Sequence, residues 1–287
     1  MRISIIIVAY INYIDLQKTL DSISNYNDIG NLLEVIVVDN SPDDQKITTN
    51  IQQNNWSFRY TYISSDNRGF GAGNNLGTKI ARGDIIGFIN PDIIFISPIF
   101  KRILKEFDNN PNTAMIGGRL LKENRKFNSS FKYDFGYGIL IKQMNKIMNF
   151  IGAFNENKMY IEGADIFIRK KVFDEAGKFD EQFFMYYEEA DLIRRVKEKT
   201  NGKVRFLRDI KMIHLENGST PVSDKTTMIE IESCRKYANK YGLNASKKIK
   251  ADLNYLKLKS LIFKILRSEN KFDSKIKIYE EELRKYN

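Results

Sequence analysis

The first hundred residues alternate short β-branched runs with amphipathic segments, and this pattern limits the folds that the chain can adopt. The runs are strand-sized, and the segments between them have helical length. In chain order we predict strand 3–8, helix 16–24, strand 33–38, helix 46–53, strand 60–63, helix 74–81 and strand 85–90. Strands separated by helices in this way form a mostly parallel sheet with helices on both faces. We therefore predict an α/β fold whose functional loops follow the carboxyl ends of the strands.

The pattern is less regular after this point. We predict helix 97–108, an extended segment 114–121, strand 160–169, helices 171–176 and 188–199, and a strand pair at 204–207 and 212–214. Residues 122–157 show no clear period and are interpreted as a mobile loop region. The chain is therefore divided into an α/β domain, residues 1–220, and a C-terminal helical, basic extension, residues 221–287.

The composition is that of a globular protein. Hydrophobic residues make up 42% of the 287 residues, which is enough for a sizeable core. The longest apolar runs, 3–9 and 85–89, are far shorter than the roughly 20 residues of a membrane span. No apolar stretch with a cleavage site follows Met1, and Cys234, the only cysteine, cannot form an internal disulfide. We therefore expect a cytoplasmic protein.

The net charge of +10 is unevenly distributed. Residues 236–287 hold 14 Lys or Arg and 6 Asp or Glu, so this tail carries +8 and the preceding 235 residues carry +2. Such a tail suits anionic lipid or an acidic acceptor better than a base-reading groove, so we expect no nucleic-acid partner. Residues 249–266 predict a basic amphipathic helix. Two interpretations stay open: it lies on an anionic membrane surface, or it packs on the rest of the chain with its lysines in solvent.

Two segments favour nucleotide binding. Asp39 follows the second predicted strand, where ligand-facing residues lie in an open α/β sheet. Its carboxylate can accept hydrogen bonds from a nucleobase or a ribose, although a helix N-cap explains an aspartate here equally well. Arg68 and three glycines then precede a predicted helix. Glycines let the backbone approach a ligand closely, and a helix start beside a cation favours a diphosphate, but alone this signal is weak.

Acidic groups mark two further positions. Asp92 follows the fourth strand in an Asn-Pro-Asp sequence, where it would hold a divalent cation against phosphate oxygens; a simple turn is the alternative. Glu188, Glu189 and Asp191 crowd together at a predicted helix start. Burial and like charges raise a carboxylate's proton affinity toward that of a general base, but acidic residues are also common in any first helical turn. His214, the only histidine, ends a predicted strand.

Taken in this order, these segments resemble the inverting family-2 glycosyltransferases of GT-A fold, and especially their rhamnosyltransferase-like members. The resemblance covers residues 2–220. It is carried by residues 4–12, 37–41, 67–75, 90–92, 163–170 and 188–192, with His214 downstream. Each motif alone is only suggestive, whereas six in the same order are specific.

The resemblance implies two sets of binding residues. The nucleotide-sugar set is Ala9, Tyr10, Asn12, Asp39, Asn40, Arg68, Gly69, Gly73, Asn74, Asn90, Gly163 and Ala164. The metal set is Asp92, with His214 as a second candidate, and the implied cofactor is Mg²⁺ or Mn²⁺. Family members commonly have Asp-X-Asp where this chain has Asn90-Pro91-Asp92, so one carboxylate of the family pattern is missing.

The resemblance also implies a mechanism. Glu189 is the expected base, with Glu188 and Asp191 as supporting carboxylates. The base removes the proton of the acceptor hydroxyl as its oxygen attacks the anomeric carbon opposite the diphosphate, which inverts the configuration. The expected donor is dTDP-β-L-rhamnose, with a UDP-sugar as the alternative.

The acceptor is expected to be a glycan or a lipid-linked glycan in cell-surface polysaccharide or glycan synthesis, bound on the side of residues 122–157. The basic C-terminal helices would hold the protein at the inner face of the plasma membrane. Two other functions were weighed. A sugar nucleotidyltransferase needs a basic, glycine-rich loop after its first strand, and residues 10–15 have none. A non-catalytic basic module that binds membrane or nucleic acid is favoured only by the tail.

Overall fold

The computed structural model describes residues 2–43, 51, 55–216, 223–265 and 272–285. Its elements are β1 Ile3–Ala9, α1 Tyr13–Asn25, β2 Leu33–Asp39, β3 Arg59–Ser64, α2 Phe70–Ile80, β4 Ile85–Ile89, β5 Ile93–Phe95, α3 Phe100–Asn109, β6 Thr113–Leu121, β7 Phe131–Tyr133, α4 Ile139–Ile151, β8 Met159–Ile161, β9 Asp165–Arg169, α5 Lys170–Ala176, α6 Glu188–Thr200, β10 Lys203–His214, α7 Asp224–Lys240, α8 Ala245–Ile265 and α9 Asp273–Arg284. The predicted helix 46–53 lies outside the described residues, apart from Ile51.

A sheet of eight strands forms the centre of the molecule, in the order β3-β2-β1-β4-β9-β6-β10-β5. Strands β1 to β4 pair in parallel, and so do β6 and β10. Within the described chain only β9 and β5 run the opposite way: β9 is antiparallel to both β4 and β6, and β5 is antiparallel to β10. The prediction of a mostly parallel sheet flanked by helices is therefore confirmed.

Strand β1 shows why the first apolar run has no polar alternation. Ile5 belongs to the hydrophobic cluster that contains Leu20 of α1, whereas Ile6 belongs to the cluster that contains Leu192 of α6. Successive side chains point to opposite faces of a sheet, so both faces of this strand are covered. Burying each isoleucine contributes about 1.5 to 3 kcal/mol. This packing fixes the carboxyl ends of the strands, where the polar residues begin.

The interpretation of residues 122–157 as a loop region was wrong for about half of that segment. It contains β7, which pairs with β8, and α4, which ends at Gly152 in the left-handed conformation. Side chains of α4 are mostly exposed, with Leu140 at 80% and Phe150 at 64%. Apolar residues do recur at helical spacing in α4, at Leu140, Met144, Ile147, Met148 and Ile151, so the prediction missed a period that the sequence contains.

Two other strand boundaries differ from the prediction, and one further strand was not predicted. The strand predicted at 160–169 is divided into β8 and β9 by a turn at residues 162–164. The strand pair predicted at 204–207 and 212–214 is one strand, β10, whose register against β6 shifts between Leu207 and Lys211. This bulge accounts for the polar interruption that divided the pattern. Strand β5 was not predicted, since three residues are too few to show a period.

The C-terminal segment is helical, as predicted. Helix α7 begins with a capping box between Ser223 and Thr226. Helices α7, α8 and α9 share a hydrophobic cluster that includes Cys234, and Tyr187, next to the acidic residues, packs against it. One face of α8 is buried through residues such as Leu253, so this helix packs on the rest of the chain. Among the described residues, no helix has the length and apolar content to cross a membrane.

Candidate active site

The ends of β1 and β2 form the first part of the site. Ala9 and Asp39 are register partners, and the amide of Asn40 donates to the carbonyl of Ala9 at 2.9 Å. The carboxylate of Asp39 is fully buried; it accepts hydrogen bonds from the Tyr62 hydroxyl at 2.8 Å and from the Ser41 amide at 2.9 Å. Asp39 is therefore held rigidly at the carboxyl edge of the sheet. Its predicted contact to a nucleobase or ribose stays a prediction.

The turn after β1 is shaped by its own polar side chains. The Ser41 hydroxyl accepts a hydrogen bond from the amide of Ile11 at 2.8 Å, and Ile11 has a φ of 52°. Asn12 caps α1, with its Oδ1 3.3 Å from the amide of Asp15. Tyr10 lies half-buried at the start of this turn. Three predicted nucleotide residues, Ala9, Tyr10 and Asn12, thus lie on one turn beside Asp39.

The glycines of the next motif allow two close backbone approaches. Gly69 precedes α2 with a φ of 103°, and a Cβ atom there would overlap the carbonyl of Phe184. The amide of Phe70 donates to that same carbonyl at 2.9 Å. A Cβ atom at Gly73 would lie 2.9 Å from the side chain of Val8. These glycines therefore seat α2 against β1 and against the segment that leads to Glu188.

Two buried amides in this region have unused acceptor oxygens. Oδ1 of Asn40 and Oδ1 of Asn74 find no hydrogen-bond partner within the described chain, although their nitrogens donate to the carbonyls of Gly69 and Phe70. Unpartnered buried polar atoms are rare in folded proteins and mark places where a ligand donor fits. Both residues belong to the predicted nucleotide-sugar set.

Arg68 makes a different contact from the one expected. Its guanidinium forms an ion pair of 2.7 Å with Glu181, and its side chain is 71% exposed. An exposed pair of this kind contributes little to stability, so a diphosphate can compete for the guanidinium. The predicted diphosphate contact of Arg68 stays a prediction.

The Asn90-Pro91-Asp92 turn lies between the two halves of the sheet. The amide of Asn90 donates to the carbonyl of Ala164 at 3.1 Å, and the carbonyl of Pro91 accepts a hydrogen bond of 2.8 Å from Thr19 on α1. These contacts join the end of β4 to the turn before β9. Gly163 in that turn lies against Glu189, since a Cβ atom there would be 3.5 Å from the Glu189 Cβ. The carboxyl end of β4 is therefore connected to the acidic helix α6 through residues 90–92 and 163–164.

Asp92 and His214 are brought together by the pairing of β5 with β10. Oδ1 of Asp92 lies 3.3 Å from Nε2 of His214, and Asp92 is only 4% exposed. Burial opposes a positive charge on the imidazole, but the hydrogen bond and negative charge of Asp92 outweigh it and raise the pKa of His214. A carboxylate and an imidazole are both ligands of Mn²⁺ and related ions.

This pair fits a divalent cation that takes its remaining ligands from a diphosphate. No group of three or more acidic, histidine or cysteine side chains suited to a metal occurs among residues 2–43, 51, 55–216, 223–265 and 272–285. A cation at Asp92 would therefore have at most two protein ligands of these kinds. So few protein ligands suit a cation whose coordination is completed by phosphate oxygens of a nucleotide, because Mg²⁺ commonly combines one or two carboxylates with substrate phosphates.

The acidic helix α6 follows two residues in an unusual backbone conformation. Tyr186 and Tyr187 have φ angles of 72° and 70°, which bulky residues seldom adopt. This backbone is held from both sides: Phe184 accepts from Phe70, and the carbonyl of Met185 accepts a hydrogen bond of 2.8 Å from Ser233 on α7. The surrounding contacts thus position the two glutamates that follow.

The two glutamates differ in their surroundings. Glu188 is 5% exposed, and burial, together with the charge of Glu189, raises its pKa well above the usual value. Burial raises the pKa of Glu189 to about 7, while nearby Lys132 acts in the opposite direction. Oε2 of Glu189, like Oε2 of Glu188, is buried and accepts no hydrogen bond from the residues that the structure describes, but of the two only Glu189 is among the described residues that line the large cavity nearby. Glu189 thus carries an available, basic oxygen near neutral pH.

Asp191 has other partners than those expected of a supporting carboxylate. It is fully buried, and its oxygens contact Arg195 at 2.7 Å, Lys240 at 2.6 Å and the Tyr241 hydroxyl at 2.7 Å. These contacts join α6 to α7. Asp191 is also absent from the described residues that line the cavity beside Glu189. Asp191 therefore lies in a network of charged and polar partners between α6 and α7, and its supporting role in catalysis stays a prediction.

A cavity of about 1240 Å³ lies beside Glu189, which we call the Glu189 cavity. Its walls come from residues 122–136, from α4 and from the C-terminal helices, and they include Glu189, Tyr160, Tyr186 and Tyr187. Asp92 and His214 are not among its described lining residues. Among the described residues, Asp92 therefore does not share this cavity with Glu189, and the two are connected only through a neighbouring residue.

Glu162 is that neighbouring residue. Its carboxylate accepts from the Ser129 hydroxyl at 2.6 Å and pairs with Lys132 at 2.7 Å. Burial opposes its charge, but Lys132 holds the pKa of Glu162 below its usual value. Glu162 interacts electrostatically with both His214 and Glu189. The charge of this one carboxylate thus acts on the candidate metal pair and on the candidate base.

The order of these elements along the chain is that of a known family. A family model described as "Glycosyl transferase family 2" matches residues 4–177. The chain belongs to this family. The match begins in β1 and ends just after α5, so the acidic helix α6 and the C-terminal helices lie beyond it.

Two curated relatives are similar to this family-2 chain. The low-salt glycan biosynthesis hexosyltransferase Agl10 of Haloferax volcanii is 28% identical over 208 residues, which cover 69% of this chain and 62% of the relative. The minor teichoic acid biosynthesis protein GgaB of Bacillus subtilis is 30% identical over 111 residues, 38% of this chain and 12% of the relative. The chain thus spans less than two thirds of the length of either relative.

Solved structures confirm the GT-A type fold of this family-2 chain. S. aureus TarS 1-349 in complex with UDP superposes with a TM-score of 0.56 at 14% identity, over 89% of this chain and 71% of that chain. The mannosyltransferase PcManGT of Pyrobaculum calidifontis, in complex with GDP-Man and Mn²⁺, superposes with a TM-score of 0.58 at 13% identity, over 83% and 64%. At these identities the likeness shows the fold alone.

Several residues of the family-2 site were missed by the sequence interpretation. Lys132 and Glu162 contact each other beside Glu189, and Asn128 lines the Glu189 cavity. Asp165 follows the predicted Gly163 and Ala164; it is fully buried, accepts from the amide of Gly118 at 2.7 Å, and burial raises its pKa well above the usual range. The one available signal was Asp165 itself, a carboxylate that begins an apolar strand.

Proposed function

We propose that this protein transfers a sugar from a nucleoside-diphosphate donor to an acceptor hydroxyl, with inversion at the anomeric carbon. One observation carries the proposal: Glu189 presents a buried, unpartnered carboxylate oxygen on the wall of a large cavity, with a pKa of about 7. A general base with a pKa near the working pH is an effective proton acceptor. Family membership and the names of the two relatives support the same reaction class.

The carboxyl edge of β1, β2 and β4 is proposed as the donor site. Asp39 offers acceptor oxygens to a base or ribose, and the unused oxygens of Asn40 and Asn74 lie in the same region. The similar structures contain UDP or GDP-Man, which supports a nucleotide sugar as the donor here. We propose dTDP-β-L-rhamnose as the first candidate, from the motifs alone, and a UDP-sugar as the second.

The proposed reaction separates the roles of the two acidic regions. Glu189 takes the proton of the acceptor hydroxyl as its oxygen forms a bond to the anomeric carbon, and the bond to the diphosphate breaks on the opposite face. Asp92, with His214, would hold Mg²⁺ or Mn²⁺. When bound, this ion would supply Lewis-acid stabilisation of the leaving diphosphate. Burial and the charge of Glu189 raise the pKa of Glu188 well above its usual value, which favours the neutral form of Glu188 beside the base.

The test is a calorimetric binding panel of UDP-, GDP- and dTDP-sugars, each with Mn²⁺ and with EDTA, followed by transfer assays with any sugar that binds. We expect one nucleotide to bind more tightly with Mn²⁺, and Asp92→Asn to abolish that difference. Equal binding by Asp92→Asn and the wild type in Mn²⁺ would remove Asp92 from the metal site. Failure of every nucleotide sugar to bind would overturn the proposed function.

We also propose that the protein associates with an anionic membrane surface. Helix α8 buries one face, but Leu258, Leu261, Ile262 and Ile265 on its other side are 39% to 70% exposed. Exposed apolar residues between lysines are typical of helices that lie at a lipid interface. Flotation with phosphatidylglycerol liposomes tests this proposal. A Leu261→Ser, Ile262→Ser double variant that floats as well as the wild type would contradict it.

A further inference from the structure

The Glu189 cavity is strongly basic. Among the described residues that line it there are eight lysines, against three acidic residues, Glu189, Glu230 and Asp252. Lys142 pairs with Asp252 at 2.6 Å, and Lys275 pairs with Glu230 at 2.7 Å. After these pairings the cavity still has an excess of positive charge. A neutral sugar acceptor gives no reason for that excess.

Four of these lysines form no ion pair with the described residues: one is Lys259, which lies over the rings of Tyr255 and Phe272, and the other three are exposed. Lys122, Lys126 and Lys146, which we call the lysine triad, form no ion pair within the described part of the chain and are exposed. Lys122 and Lys126 lie on one turn, since the amide of Lys122 donates to the carbonyl of Lys126 at 2.8 Å. Lys146 lies on α4, whose Phe150 packs against Phe127, the next residue after Lys126, with ring centroids 5.3 Å apart. The triad therefore gathers where this turn meets α4.

Asn128 provides an independent sign of a ligand in the same wall. It is only 8% exposed, and its Nδ2 donates to no residue that the structure describes. Its Oδ1 is already used, because it accepts the Ser129 amide at 2.8 Å. The amide orientation is thus set, and a buried NH₂ group is left for an acceptor oxygen. Leaving such a donor unpaired costs about 1 to 3 kcal/mol, which a ligand oxygen would recover.

We propose that the Glu189 cavity is the acceptor site and that it takes an acceptor bearing a phosphate group near the attacking hydroxyl. Asn128 would donate to a phosphate or adjoining sugar oxygen, the lysine triad would supply the positive charge, and Glu189 would receive the hydroxyl proton. This inference rests on the proposed transfer reaction, since it gives that reaction its acceptor class. Cations placed around phosphate oxygens are the usual means of recognising such groups in proteins.

Two kinds of molecule can carry such a phosphate: a lipid phosphate and a soluble phosphate-bearing glycan. The lysines and Asn128 would bind the phosphate group of either one. Phe127, Ile147 and Phe150 also line the cavity, and they are 40%, 59% and 64% exposed. Such side chains suit the lipid chain of a lipid phosphate, whereas a soluble phosphate-bearing glycan needs only the lysines and Asn128. The probes are therefore farnesyl phosphate and glucose 1-phosphate, with methyl glucoside as the neutral control.

The experiment measures the binding of each probe by calorimetry to the full chain. The test variant is Lys122→Gln, Lys126→Gln, Lys146→Gln, and the matched control is Lys79→Gln, Lys105→Gln, Lys211→Gln, which removes the same charge from three exposed lysines outside the cavity. We expect the triad variant to bind phosphate probes at least about tenfold more weakly and the control variant to match the wild type. Asn128→Asp should weaken binding more than Asn128→Ala, because it adds a negative charge.

Several results decide the question. Equal binding of methyl glucoside and glucose 1-phosphate by the wild type would overturn the proposal, and so would equal loss in the triad and control variants. Tighter binding of farnesyl phosphate supports a lipid source, and similar binding of both phosphates supports a soluble one. Binding of UDP, measured in every variant, shows whether the donor edge stays intact. If no nucleotide sugar binds, the proposed transfer reaction is wrong. The comparison of phosphate probes still decides the acceptor proposal, because it does not depend on turnover.

Discussion

The hydroxyl of Tyr241 donates a hydrogen bond of 2.7 Å to Oδ1 of the fully buried Asp191. This contact joins the end of α7 to α6, the helix that carries Glu189. Helix α7 therefore stabilises the position of the helix that carries the candidate base. Arg195 and Lys240 complete the surroundings of the same carboxylate. A carboxylate with three partners of this kind orders the helix that contains it.

Tyr241→Phe tests that support. Removing one hydrogen bond to a charged group costs about 1.5 to 3 kcal/mol, and we expect a loss of this size in urea unfolding. Tyr13→Phe is the control, because Tyr13 is 58% exposed. A Tyr241→Phe variant as stable as Tyr13→Phe would show that the contact does not hold α6 in place.

Glu189→Gln tests the base. We expect transfer to fall by about 10²- to 10⁴-fold, the usual contribution of a general base, while nucleotide binding persists. Glu188→Gln is the matched change one residue earlier. Because burial raises the pKa of Glu188 well above its usual value, glutamine resembles its protonated form, and a smaller loss is expected. Equal losses in the two variants, measured as kcat with saturating donor, would remove the special role of Glu189.

The pH dependence of transfer follows from the pKa of Glu189, which is about 7. The base acts only when it is deprotonated, so kcat/KM should rise about tenfold per pH unit below that value and level off above it. A rate that is flat from pH 5 to pH 8 would contradict the assignment. The profile is best recorded with donor binding measured at each pH, so that binding and proton transfer are separated.

The same carboxyl predicts a change in stability. Its pKa is raised from 4.5 to about 7 on folding, so between these values the folded state binds a proton that the unfolded state has lost. This contribution to stability is complete below pH 4.5 and is lost as the pH rises through about 7. Glu189→Gln removes the titration. We expect its Tm to exceed that of the wild type at pH 8, with the difference shrinking at pH 5; an unchanged difference would rule out the pKa shift.

Gly69→Ala tests the contact between α2 and the segment before α6. The new methyl group would overlap the Phe184 carbonyl, and the φ of 103° is one that glycine alone adopts readily. Gly30→Ala is the control, since Gly30 has a φ of 54° with no atom within 4 Å of the added Cβ. We expect a cost of about 1 to 2 kcal/mol at Gly30 and a larger one at Gly69. Similar thermal shifts in both would contradict the close approach.

The positions of Asp39 and Asp92 at the carboxyl edge of the sheet could be predicted because they depend on local signals. Asp39 and Asp92 each follow an apolar run, and the carboxyl ends of parallel strands meet at one edge of a sheet. The acceptor side could not be predicted in this way. Asn128 and Lys132 line the same cavity as Glu189 although they lie far from it in the sequence, and no local pattern shows that the fold brings them together.

The acidic motif illustrates a second limit. Residues three positions apart lie on the same face of a helix, whereas adjacent residues are separated by about 100°. Glu188 and Asp191 therefore turn inward together, and Glu189 turns toward the cavity. The spacing alone does not say which face is buried, so the choice of Glu189 as the base came from the family resemblance and not from the spacing.

The hydrogen bond from Asn90 to Ala164 has a consequence for how such enzymes diversify. The residues proposed for nucleotide recognition precede this contact in the chain or belong to it, and those proposed for the second substrate come from residues 122–136, α4 and later helices. Substitutions in the later segments can therefore change the second specificity and leave the first unchanged, provided that the contact between Asn90 and Ala164 is kept.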